Sequence, residues 1–456
     1  MGQISIVLIA GLIVLFHEPP KNITEVNEPL IIVFTIVATL VPAVLVYFWG
    51  FYTTRTVVTD MEQLVRRFYL FKRTSIVFEV VLLAGYVCEI HILNLPVLIH
   101  QKLQFLPFAH MRQMLAIIPL VVGMLLIQVA IYEIDQLLLK RRWKRNELVS
   151  FHLKFLLLPI APLFVYLAAI DLVELLPAGM KAFFIDHSYL LIALGAMLIL
   201  SAYVYAPLLL GLIWKTVPLA HPELKTRLQR LAERDGIKYK DIVVWQTRSL
   251  AIANAAVAGI APWARKIFLT DALLERFTIE EIETIVAHEF GHIRYKHPLT
   301  YLLFWMTYFL SYMFLYLYIL VPMERSLPES SILPSIVTIA FVVFYFVFVF
   351  RYLSRRFEYQ ADLYAARVTG NSEVFKAALS RLAFLNYFPK SIQRLFEVFH
   401  THPSIDRRIA FIDRLATKDS RVLRYQHYLL EVKIILALIP TLAGMLFLGN
   451  WFQLGQ

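Results

Sequence analysis

Long apolar runs set the first limit on what this chain can become. Nine of them interrupt the sequence, at about 3–16, 30–52, 75–99, 114–139, 154–176, 188–214, 299–321, 333–353 and 431–449. Most reach the ~20 residues an α-helix needs to cross the hydrocarbon core of a bilayer. Composition agrees: 59% of the 456 residues are hydrophobic and 17% charged, with a mean hydropathy of +0.66, whereas soluble domains are roughly half apolar and a quarter charged. The expected fold is mainly α, a polytopic helical membrane protein of about seven to nine transmembrane helices. Two longer polar stretches, 215–298 and 354–430, are left to build a cytoplasmic α+β domain.

The charges orient these segments. The net charge is +11, but the basic residues fall between apolar runs, which suits loops facing anionic lipid and not nucleic acid. Loop 53–74 carries Arg55, Arg66, Arg67, Lys72 and Arg73, and loop 140–153 carries Lys140, Arg141, Arg142, Lys144 and Arg145. Loops 17–29, 177–187 and 322–332 hold few basic residues and several acidic ones. This alternation puts the N-terminus and both polar stretches on the cytoplasmic side. The single cysteine, Cys88, lies in an apolar run, so neither a disulfide framework nor a cysteine zinc site is expected. The start, MGQISIVLIAGLIVLF, lacks a basic n-region and an obvious cleavage site and is expected to be retained as a short hydrophobic helix. Asn22-Ile23-Thr24 matches a glycosylation acceptor, a pattern too short to decide anything.

Chemistry concentrates in Thr278 to His292, TIEEIETIVAHEFGH. Thr278 and Glu281 are spaced for a capping box, and Ile279, Ile282, Ile285, Val286 and Phe290 recur at helical spacing. His288 and His292, at i and i+4, lie one turn apart on one face, where both imidazoles can reach one metal ion. Glu289 stands beside that position, able to take a proton from water. Upstream, an amphipathic helix is expected over Pro222 to Arg234, and strands at 242–245, 252–257 and 266–269 form a small sheet. Downstream, Pro298 opens a two-span hairpin, which must return the chain to the side it left. Residues just past 353 are therefore expected near His292. Glu358, within SRRFEYQAD, is the candidate third ligand, completing the His, His, Glu set of a catalytic zinc with one position left for water. Asp362, a turn later, is placed to accept the free N–H of a ligand histidine, with His288 first in line. The alternative is a Glu358 paired with Arg355 or Arg356 at a membrane boundary.

HEFGH, then a two-span hairpin, then SRRFEYQAD, then Thr401-His402-Pro403 with Arg408 six residues past His402, resembles the zinc-dependent CAAX prenyl protease family, whose core is shared by the bacterial protease HtpX. The resemblance is specific over about 240–415 and only architectural before that. It implies one zinc per chain on His288, His292 and Glu358, with Glu289 as catalytic base. It also implies that His402 and Arg408 stabilise the transition-state oxyanion; from the residues alone, His402-Pro403 is as readily a helix entry. Asn254-Ala255, ahead of Gly259, resembles the edge-strand motif that holds a substrate extended by backbone pairing. Six segments before the catalytic helix fit the prenyl protease pattern of seven spans around a chamber, while HtpX-like enzymes have far fewer. This chain carries two hydrophobic segments beyond seven.

The expected organisation is thus 1–214 transmembrane, 215–298 with the sheet and HExxH helix, 299–353 the hairpin, 354–430 with the third ligand and His-Pro motif, and 431–456 a C-terminal hydrophobic helix. The partners implied are the bilayer and a peptide or membrane-protein substrate, prenylated at its C-terminus if the CAAX resemblance extends that far. An HtpX-like protease acting on unlipidated membrane proteins is the alternative. A transporter would need neither Glu289 nor HExxH beside ExxxD, and an inert scaffold would be expected to have lost a ligand. Glu79, Glu89, His91, Asp171 and Glu174 sit within or at the ends of apolar segments, as either a polar chamber wall or interfacial positions. His297 is expected in a solvated basic turn and is not counted as a ligand.

Overall fold

The computed structural model describes residues 26–54, 61–139, 144–187, 189–247, 252–328, 333–386, 388–397, 400–415 and 419–454, together with positions 6, 7, 10, 11, 13 and 14. Most of the expected 3–16 segment, and Asn22 to Thr24, lie outside them. The chain divides into two compact units, Met1–Trp214 and Lys215–Gln456.

The first unit is helical. Helix Glu28–Thr54 packs on Met61–His91 and on Ile118–Leu139. Close packing is possible because Gly50 lies at the contacts: a Cβ there would come within 2.5 Å of the Ile134 side chain and 2.8 Å of Phe71. Exposed Leu, Val, Ile and Phe side chains cover the outer face of Glu28–Thr54, as expected of a helix whose solvent is lipid. Helix Ala161–Glu174 delivers Asp171, which is 1% exposed, to the start of helix Ala109–Met114. There its carboxylate accepts the backbone N–H groups of His110 and Met111 and contacts His110 Nδ1 at 2.8 Å. This charge caps a helix start.

Five described helices are long and apolar enough to cross a membrane: Glu28–Thr53, Arg67–His91, Ala109–Gln136, His297–Met323 and Ile336–Thr369. The pair Arg145–Leu157 and Ala161–Glu174, bent by 54°, makes a sixth if it counts as one span. Among the described residues this gives five or six of the seven to nine expected, and two of the remaining runs are interrupted beside a proline. The bend falls at Leu158–Ile160, which contains Pro159, and the 188–214 run is two helices, Tyr189–Val204 and Ala206–Ile213, parted ahead of Pro207. The 431–449 run falls within Asp419–Leu454.

The second unit is built on a four-stranded sheet: β1 Thr216–Pro218, β2 Asp241–Trp245, β3 Ala255–Ala258 and β4 Lys266–Thr270, in the order β1-β2-β4-β3. β2 and β4 are parallel; β1 and β3 run antiparallel to them at the two edges. Residues 252–254, expected to be strand, precede β3, and β1 has no sequence signal beyond Val217. Six helices of this unit position the site: α1 Pro222–Arg234, α2 Ile279–Arg294, α3 Arg351–Thr369, α4 Ser372–Leu385, α5 Ile405–Leu415 and α6 Asp419–Leu454. Leu224, Leu228 and Leu231 of α1, Ile267 and Leu269 of β4, and Ile282, Val286 and Phe290 of α2 share one core with Phe375 and Leu379 of α4. The capping box is formed: the Glu281 N–H donates to Thr278 Oγ1 and the Thr278 N–H to Glu281 Oε2.

Between α2 and α3 the chain makes a hairpin of helices His297–Leu315 and Leu333–Val343, each continued by a π-helical turn, Tyr316–Leu320 and Phe344–Phe350. Phe304 and Tyr308 on one arm pack against Tyr345 and Phe346 on the other, and Tyr301 Oη lies 3.0 Å from Ser354 Oγ at the open end. The aromatic packing delivers the start of α3 alongside α2.

α2 and α3 approach closely at Gly291, where a Cβ would sit 2.9 Å from Ala361 Cα and 3.3 Å from its carbonyl oxygen. A backbone cannot swing aside as a flexible side chain can. Gly291→Ala is expected to destabilise the second unit by about 1–3 kcal/mol through overpacking, read as a lower thermal unfolding midpoint of the detergent-purified protein. An unchanged midpoint would show that the two helices can separate freely.

Candidate metal centre

Four elements of the second unit meet at one buried point. α2 brings His288 and His292, α3 brings Glu358 and Asp362, α5 brings Arg408, and the loop before α5 brings His402. His288 and His292 share a face of α2, with their Nε2 atoms 3.2 Å apart. Glu358 lies 3.5 Å from His288 Nε2 and 3.6 Å from His292 Nε2. These three residues can each offer one ligand atom to a common metal. The spacing tests the fit: donors ~2.0–2.1 Å from a tetrahedral zinc stand roughly 3.3 Å from one another. The residues present fit that ion.

The histidines are held so that Nε2 faces inward. His288 Nδ1 is 2.9 Å from Asp362 Oδ1, so its proton sits on Nδ1 and its lone pair on Nε2. For His292 the restraint is longer. The Gln360 amide presents its oxygen 2.9 Å from His297 Nε2, which therefore carries the proton and leaves His297 Nδ1 as an acceptor. That nitrogen is 2.8 Å from His292 Nδ1, which donates to it, so the remaining nitrogen of His292 faces the ligand set. His297 is 0% exposed and stacks on Phe357, with centroids 4.3 Å apart. It is not in the solvated turn expected from its basic neighbours. Lys296 at φ 56° and Pro298 just inside the next helix fold the chain back sharply, placing His297 under α3. A histidine directly before a helix-opening proline was the signal available.

Charge follows the same layout. Burial pulls His288 down, yet the Asp362 and Glu358 carboxylates outweigh it and hold the imidazole up at about 9. Two carboxylates thus set negative charge directly against His288. Burial takes His292 down to about 3, leaving it neutral as a ligand must be. Burial also pushes Glu289 up to about 7, against the imidazole of His288, which suits a group that must both take and return a proton.

Arg408 is 7% exposed and grips Asp362 with two hydrogen bonds, Nε to Oδ2 at 2.8 Å and an Nη2 contact to Oδ1 at 2.5 Å. It also comes within 3.8 Å of Glu358. His402 is 59% exposed at its side chain, with Nε2 3.4 Å from Glu358 Oε1 and Nδ1 3.0 Å from Thr401 Oγ1. Asn254 exchanges hydrogen bonds with Thr270 at the head of β3, and the Val257 N–H donates to Glu289 Oε2 at 3.3 Å. The edge strand that begins at Ala255 thus runs directly past Glu289. The structure brings the expected residues to one place, with Arg408 turned onto Asp362. Arg355 donates to the carbonyls of Glu397 and His400, while Glu358 faces the two histidines.

Comparison with known proteins finds likeness in the same part of the chain. Residues 218–416 match the model of peptidase family M48. The CAAX prenyl protease 1 of Saccharomyces cerevisiae is 25% identical over 257 residues, covering 50% of this chain and 56% of the yeast protein. A protease HtpX homolog of Aeropyrum pernix is 22% identical over 305 residues, 53% of this chain and 89% of that protein. Protease HtpX of Legionella pneumophila is 25% identical over 234 residues, covering 46% of this chain and 82% of that protein. Among solved structures, S. mikatae Ste24p aligns with a TM-score of 0.44 at 19% identity, covering 85% of this chain and all of that one. Over residues 218–416 this chain is thus similar to peptidase family M48, and over about half of its length to both a CAAX prenyl protease and HtpX proteases.

Outer partners of metal-bound histidines typically contribute a factor of ten to a hundred in metal affinity. His297→Phe keeps the stack on Phe357 but removes the acceptor for His292. Zinc affinity, measured by competition with a chromogenic chelator, is expected to fall about 10–100-fold. Wild-type affinity in this variant would mean that the His292 tautomer does not depend on His297.

Proposed function

We propose that this protein is an integral membrane zinc endopeptidase that hydrolyses peptide bonds at the centre formed by His288, His292 and Glu358. The observation that carries it is the 3.2–3.6 Å spacing of those three ligand groups, with Glu289 next in sequence to one ligand and an edge strand against it. Zinc, when bound, supplies Lewis acidity, polarising the scissile carbonyl and acidifying water.

The chain's own residues do the rest. The substrate backbone pairs with β3, extended, as an added strand, which sets the scissile bond in register beside Glu289. Glu289 accepts the proton of the attacking water at a carboxylate oxygen and passes it to the leaving amine. His402, exposed at the mouth, donates from its ring to the carbonyl oxygen as negative charge grows there. Arg408 contributes its charge from behind while holding Asp362, and through it His288. The alternating basic and acidic loops support a cytoplasmic position for this site. The substrate class follows the CAAX prenyl protease resemblance: a peptide C-terminus bearing a prenyl group.

Detergent-purified protein is expected to cleave a farnesylated CAAX peptide faster than its unlipidated twin. A zinc chelator should stop the reaction and added zinc restore it. Glu289→Gln should retain zinc yet lose about 10²–10⁴ in rate; full activity in a zinc-loaded Glu289→Gln protein would end the assignment. Equal cleavage of the two peptides, still dependent on Glu289, would transfer the role to the proteolysis of unlipidated membrane proteins.

A further inference from the structure

A second, strongly basic feature lies in the same unit and takes no part in the chemistry above. On α5, Arg407 and Arg414 are one heptad apart and share a face, while Arg408 turns inward to Asp362. With Arg356 of α3 and Arg394 they line a recess of about 420 Å³, floored by Tyr359 and Phe411. An adjoining recess of about 560 Å³ shares Arg356, Phe411 and Arg414 and adds Arg421 and Arg424 of α6. Six arginines thus converge on two connected hollows. Their positive charge is poorly answered from within. Arg407 pairs with Glu397, Asp413 is taken by Lys376, and Asp362 by Arg408. Among the described residues no carboxylate forms an ion pair with Arg356, Arg394, Arg414, Arg421 or Arg424; Arg356 and Arg414 instead lie over the rings of Tyr352 and Phe411.

The place of this cluster along the helices identifies what could answer it. Arg421, Arg424, Tyr425 and Tyr428 occupy one face of α6 at i, i+3, i+4 and i+7. Immediately beyond, α6 exposes Leu430, Ile434, Ile435, Leu438 and Leu442. On α3, the apolar helix that begins at Ile336 leads up to the same point. Tyr352 and Tyr428, both exposed, touch there through their hydroxyls at 2.5 Å. Tyrosines at the boundary between a polar cluster and an apolar helix surface mark the headgroup level of a bilayer, and arginine forks match phosphate oxygens.

We propose that Arg356, Arg394, Arg407, Arg414, Arg421 and Arg424 form a seat for the phosphate headgroup of an anionic membrane phospholipid, with its acyl chains along the exposed apolar face of α6. The seat is independent of hydrolysis.

The test is native mass spectrometry of the detergent-solubilised full chain, titrated with phosphatidylglycerol or phosphatidylcholine. The triple variant Arg414→Gln, Arg421→Gln, Arg424→Gln is compared with a charge-matched control on another surface, Lys225→Gln, Arg230→Gln, Lys238→Gln. All six side chains are exposed, and unfolding midpoints verify that both variants fold. Wild type and control should retain phosphatidylglycerol over phosphatidylcholine by about tenfold or more, and the triple variant should lose one such lipid and most of that preference. Equal loss in control and triple variant would overturn the seat in favour of general charge attraction. Displacement of the lipid by millimolar inorganic phosphate would overturn it in favour of a soluble phosphate ligand.

Discussion

Asp362 is the charge on which the second unit turns. It is 0% exposed, and a carboxylate in such a place is costly unless its oxygens are fully engaged. Arg408 engages both oxygens, and His288 Nδ1 shares one of them. These three residues come from α5, α3 and α2, so satisfying one buried charge fixes three helices at a point. Nε2 of His288, the candidate ligand atom, inherits its direction from that arrangement. The sheet and the leucines of α1 build the body of the unit; the Asp362 cluster determines how its functional side chains are aimed.

Part of this was legible in the sequence because it rests on local periodicity. The capping box, the two histidines one turn apart and the amphipathic α1 each declare themselves within a few residues. Glu358 needed one further step, the rule that a two-span hairpin returns the chain to its starting side. What was not legible depends on contacts between distant segments or on breaks that hydropathy averages away. Proline at 159 and 207 breaks runs that hydropathy alone reads as continuous. β1 is three residues long, one of them proline, and is defined by its pairing with Val243, Val244 and Trp245 of β2. His297 looked solvated because its neighbours are basic, whereas its burial is set by Phe357 and Gln360, some sixty positions away in the chain.

Arg408 illustrates the difference between a motif and a geometry. The family resemblance implied a shared role with His402 at the oxyanion, and the structure gives the two residues different surroundings. His402 is open to an incoming substrate. Arg408 is buried, with Nε and Nη2 committed to the Asp362 carboxylate, so it holds that charge in place while its own is felt in the pocket.

The hairpin between α2 and α3 has a consequence for when, as well as where, the centre exists. The histidine pair is complete before the first arm of the hairpin begins, and Glu358 and Gln360 follow the second arm. Two histidines alone make an incomplete cradle, and His297 opens one arm while its partner Gln360 lies past the other. A nascent chain therefore holds no three-ligand set until both arms have been made and have closed on each other through their aromatic packing. The pairing of the hairpin's arms is thus the step that completes the three-ligand set.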